Sequence, residues 1–120
     1  MILYADTSSL VKLYVEEAGS DAVRALVSKA DMVASCRVAL PEMVSALTRR
    51  HHNRQIETPV YDLLIQTVRK DWRHLVALEF DEQLAADLVQ RHALRGYDAV
   101  HLASAMQLSK NDQVNMVFSS

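Results

Sequence analysis

Asp6, Glu42 and Asp98 stand far apart in the chain, and each falls at the start of an expected helix. Grouped carboxylates repel one another and raise each other's pKa unless a cation is shared. Oxygen ligands with no Cys–His constellation beside them suit Mg2+ or Mn2+ rather than zinc. Such an ion lowers the pKa of bound water and neutralises a phosphate oxygen, which is the chemistry of phosphodiester hydrolysis.

Each acid also has a local explanation. Asp6 can cap the helix begun by "TSSLVKLYV", but Thr7, Ser8 and Ser9 offer the same hydrogen bond, so the cap does not require a carboxylate. Glu42 follows Pro41 and would favour the positive end of a helix dipole. Asp98 follows Gly96, which is expected to end one helix, and is an N-cap candidate for the next. His101 lies one turn beyond Asp98 and is expected to hydrogen-bond or pack rather than to bind metal. Cys36 reads as a small core residue, with no base aimed at it.

The elements around these residues alternate. "ILYA", "DMVAS", "HLVALEF" and "QVNMVFSS" are short apolar runs that predict strands. Helices are predicted over "TSSLVKLYVEE", with Leu10, Leu13 and Tyr14 on one face, and over "DAVRALVSKA". Further helices are expected over "VALPEMVSALTRRHHNRQ", from Pro59 to Arg73, over "DEQLAADLVQRHAL" with Asp81 as cap, and over "DAVHLASAMQLSK". Strands apolar on both faces between helices predict a three-layer α/β/α domain around a central parallel sheet. The 120 residues suffice for one such domain, spanning 1–120. In it, the start of each helix in question would lie at the carboxyl edge of the sheet, where open α/β sheets bind ligands.

Composition narrows the classes. The net charge of −2 excludes a protein that coats nucleic acid by bulk attraction. Eight of the 13 Lys and Arg residues nonetheless fall in three patches, "RRHHNR", "RKDWRH" and "RHALR". Helix ends attract such cations for dipole reasons alone, and they become phosphate contacts only if they flank the carboxylates. A single cysteine fits a reducing cytoplasm, the N-terminus lacks the basic region of a signal peptide, and no run is apolar enough for a membrane span.

"YADTSSLVKLY", "ALPEMVSAL" and "LRGYDAVHLASA" resemble the PIN-domain nucleases, and the chain's compact length is similar to their VapC branch. Those proteins are the ribonuclease toxins of type II toxin–antitoxin pairs. The resemblance implies a PIN-like fold in which Asp6, Glu42 and Asp98 hold Mg2+ or Mn2+. It further implies an RNA substrate, a homodimer, and an antitoxin protein as partner. The family usually places a small hydroxyl residue and then a fourth acid after the strand that follows Asp98's helix. This sequence reaches Ser119 and Ser120, and Asp112 precedes the strand, so the fourth acid and the last segment of the usual fold are not expected in it. A haloacid-dehalogenase-like phosphatase would need an aspartate at Ser8, and a phosphoacceptor receiver domain would need paired acids after the first strand. The stronger rival is a PIN fold acting as an interaction module without catalysis.

Overall fold

A computed structural model describes residues 1–112 and 115–120, the side chains of 111 and 112 excepted. The Asp112 side chain and Val114, expected to belong to the last strand, therefore lie outside the described residues. Among the described residues the order is β1 (Ile2–Ala5), α1 (Thr7–Val11), α2 (Ser20–Lys29), β2 (Met32–Cys36), α3 (Ala39–His52) and α4 (Thr58–Trp72). Then follow β3 (Val76–Leu78), α5 (Glu82–His92), α6 (Gly96–Asp112) and β4 (Met116–Ser119). No helix among them is long and apolar enough to cross a membrane.

The four strands are parallel and run β3-β2-β1-β4 across the sheet. Successive side chains on a strand point to opposite faces, and β1 and β2 show it. Ala5 and Val33 join Leu10, Met43, Leu47 and Val68 in a core beneath α1, α3 and α4. Tyr4, Ala34 and Cys36 pack on the other face against Ala105 and Leu108 of α6. Ala99 and Ala103 of the same helix meet Ala85 and Leu88 of α5, their small side chains letting the two helices approach closely. The expected α/β/α layering with a central parallel sheet holds. Trp72 and Tyr61 border the first core, and Phe80 bridges the other two clusters.

Among the boundaries that differ from expectation, two bear on the elements that carry the acids. The helix after Asp6 is shorter than its apolar spacing suggests, because the chain tightens after Val11. Lys12, Leu13 and Tyr14 donate to carbonyls three residues back, which keeps their side chains near the same face without continuing an α-helix. Gly96 does not end α5. That helix stops at Ala93, which takes a left-handed conformation with φ 53°, a position usually given to glycine. Gly96 instead begins α6.

Pro41 is the third residue of α3, where its missing N–H is one the helix start leaves unpaired in any case. Asp81 caps α5 as expected, accepting from the backbone N–H of Gln83 at 2.9 Å and of Leu84 at 3.1 Å.

Candidate active site

Asp6 leaves β1 directly and is the N-cap of α1, its Oδ1 accepting from the Ser9 N–H at 3.0 Å and the Ser8 hydroxyl at 2.8 Å. Spare hydroxyls at 7 to 9 made a carboxylate cap look unnecessary, yet the carboxylate takes the role. Only Oδ1 is committed in these bonds, and the residue is 8% exposed. Glu42 sits in the first turn of α3, half-buried, with Oε1 accepting from the Thr7 hydroxyl at 2.8 Å and from His101 Nε2 at 3.1 Å.

Asp98 lies inside the first turn of α6, two residues past its start, so it is not the N-cap of that helix. Its Oδ2 accepts from Arg95 Nε at 3.1 Å. Both partners are exposed, and surface pairs of this kind are worth about 0–1 kcal/mol.

One cleft of about 730 Å3 is lined by Asp6, Glu42 and Asp98 together. Thr7, Ser8, His101 and Tyr97 also border it, as do Arg49, Arg50 and Arg95. Two of the three basic patches thus reach the cleft, through Arg49 and Arg50 of α3 and through Arg95. Arg69 of the remaining patch borders a neighbouring hollow with Arg49 and His52.

Arg50 is already engaged by Glu17 at 2.7 Å, and Lys12 approaches the other oxygen of that carboxylate at 2.9 Å. The Arg50 guanidinium, and then Lys12, hold the Glu17 carboxyl below the usual glutamate range. The stabilisation from these pairs is complete above the ordinary glutamate pKa and is lost as pH falls through the lowered one.

Thr7 is a cleft side chain whose contacts the sequence did not announce. Its hydroxyl bonds both Glu42 and His101, whereas "DTSS" had suggested a choice of helix caps. His101, buried, hydrogen-bonds as expected, to Tyr4, Thr7 and Glu42.

The donor chemistry of the cleft suits a hard divalent ion: carboxylate oxygens with hydroxyls beside them, and no thiolate. As the side chains lie, no group of three His, Cys, Asp or Glu among the described residues is gathered closely enough to ligate one ion. Asp98 is turned to Arg95 instead, through a weak and exposed pair.

Residues 3–111 match the family model of the PIN domain, and the chain belongs to that family. Within the family it falls in the VapC branch. Over 113 residues it is 38% identical to ribonuclease VapC45 and to ribonuclease VapC49, both of Mycobacterium tuberculosis, with 88% of this chain and 75% of each relative covered. Among solved structures it is similar to VapC20 of the same organism, described as a toxin that cleaves the sarcin-ricin loop. That match has a TM-score of 0.64 at 19% identity and covers 98% of this chain and 89% of the other, which is a likeness of fold.

Proposed function

We propose that the chain is a cytoplasmic endoribonuclease dependent on Mg2+ or Mn2+, the toxin of a type II toxin–antitoxin pair. The observation that carries the reading is the convergence of Asp6, Glu42 and Asp98 on one cleft rimmed by arginines. The names of its VapC relatives support RNA as the substrate class.

Asp6 and Asp98 are the main metal ligands in this reading, and Glu42 is a ligand or positions the attacking water. The ion, when bound, supplies charge neutralisation at the scissile phosphate and acidifies water. Asp6 offers Oδ2 to the cleft while its Oδ1 stays on the α1 backbone. Glu42 offers Oε2 while Thr7 and His101 hold Oε1. Arg95 exchanges Asp98 for a phosphate of the substrate at small cost, since the pair it gives up is exposed. Arg49 meets the RNA backbone at the same rim.

The purified chain is expected to cut single-stranded RNA internally with Mg2+ or Mn2+, and to stop on addition of EDTA. Cleavage indifferent to EDTA would sink the reading. The rival reading, an interaction module without catalysis, draws on the Arg95–Asp98 pair, which keeps one acid from the other two. No cleavage at any Mn2+ concentration would favour it. The antitoxin is a protein that covers this cleft.

The chain is a homodimer in this proposal. Val60 and Leu63 of α4 are 49% and 63% exposed, and large apolar side chains gathered on one helix mark a surface for a second copy. Sedimentation at micromolar concentration is expected to give the dimer mass, and a monomer alone would refute it.

A further inference from the structure

A continuous chain of hydrogen bonds runs from the centre of the sheet to the cleft. Tyr4 is fully buried in β1, and its hydroxyl lies 2.9 Å from His101 Nδ1. His101, 3% exposed, reaches with Nε2 to the Thr7 hydroxyl at 3.0 Å and to Glu42 Oε1 at 3.1 Å. Thr7 closes the triangle by donating to the same Glu42 oxygen at 2.8 Å.

The partners in this chain constrain where its protons lie. A carboxylate only accepts, and Thr7 has one hydroxyl proton, which it gives to Glu42. Thr7 therefore faces His101 with a lone pair, and Nε2 must carry hydrogen to satisfy both neighbours. Nδ1 faces the Tyr4 hydroxyl, and burial pushes that phenol well above its ordinary range, so it keeps its proton.

We propose that His101, held in place by Tyr4 and donating through Nε2, is the positioning residue that fixes Glu42 in the cleft. The proposal rests on the nuclease reading, in which Glu42 serves the metal or its water. Glu42 has three rotatable side-chain bonds, and its held oxygen takes donors from two other elements, α1 and α6. Those are the helices that begin with or carry Asp6 and Asp98. Holding Oε1 from both sides leaves Oε2 as the oxygen presented to a ligand, at a fixed place relative to the other two acids. Groups that orient a metal-binding side chain in this way typically change metal affinity or activity by about 10–100-fold when removed.

The test uses the full chain and begins with the metal-free protein. Nitrogen-15 NMR of labelled histidines is expected to show hydrogen on Nε2 of His101 in the native protein and in Tyr4→Phe alike, while Tyr4→Phe lowers Tm because it leaves the buried Nδ1 without its partner. Calorimetry is expected to show Mn2+ affinity falling about 10–100-fold in His101→Leu. His101→Gln, which keeps an amide N–H near the position of Nε2, should recover most of that loss, and His101→Asn should not. A native ring with hydrogen on Nδ1 alone would overturn the positioning role, even if the leucine variant failed to fold. So would a folded leucine variant with unchanged Mn2+ affinity, or a glutamine variant no better than asparagine. If the native protein neither binds Mn2+ nor cuts RNA, the nuclease reading itself falls, whatever the tautomer, and the metal-positioning role falls with it.

Discussion

Asp6→Asn is expected to lower RNA cleavage by on the order of 10³-fold while leaving the fold intact. The estimate follows from the several kcal/mol that a divalent ion contributes to a phosphoryl transition state, at about 1.4 kcal/mol per tenfold in rate. The substitution is clean because the observed cap of Asp6 is separable from the metal-binding role proposed for it. Its Oδ1 caps α1 through Ser9 and Ser8, and an asparagine oxygen caps a helix about as well. Its charge is what asparagine lacks. Asp6→Ala removes both, and should cost about 1 kcal/mol of stability, a few degrees in Tm, beyond the same loss of activity. Activity of the asparagine variant within tenfold of the native protein, with contaminating nuclease excluded, would remove Asp6 from the metal site. Equal losses of Tm in the two variants would show instead that the cap does not depend on this oxygen.

Leu47→Ala is expected to destabilise the protein by about 2–5 kcal/mol, a large share of the roughly 5–15 kcal/mol that domains usually possess. Leu47 is 1% exposed and sits with Leu10, Val11, Met43 and Val68 where α1, α3 and α4 meet over the sheet. Truncation there loses apolar burial and leaves a void among groups held by three elements, which cannot all collapse into it. The same contacts set the placement of α3, and with it Glu42. Urea unfolding should show a lower midpoint at unchanged slope. A cost under about 1 kcal/mol would mean that this junction is packed more loosely than its burial implies.

Much of the fold was legible because its strands are short apolar runs separated by amphipathic helices with recognisable caps. Asp81 caps α5, whereas Thr58–Pro59 marks the start of α4 only through its proline in the first turn, since the cap position falls on Glu57 and makes no side-chain bond. What escaped were features set by tertiary contact. Leu13 and Tyr14 keep helical spacing through tightened turns, so periodicity alone could not mark the end of α1. Ala93 takes the left-handed conformation that the usual rule gives to a glycine, and the nearby Gly96 attracted the helix end in its place. That shift also moved Asp98 from a cap to the interior of a first turn. For the site, the acids announced themselves by position after a strand or at a helix start. Thr7 did not, because its partners Glu42 and His101 are 35 and 94 residues away in sequence, and a hydroxyl beside an aspartate reads locally as a cap.

The placement of β1 between β2 and β4 bears on how the protein is made. Ile2 to Ala5 pair on one side with Met116 to Ser119, the Asp6 N–H donates to the Ser119 carbonyl, and Ser9 bonds the Ser119 hydroxyl. The segment that carries Asp6 thus leaves the ribosome well before residue 119, which supplies its last partners. At about 5–20 residues per second, translation holds those two strands apart for seconds, and closing so long a loop makes their pairing a late event in folding. A nascent chain therefore has no finished cleft. The same order of events leaves time for a partner to bind the earlier segments before the cleft is complete.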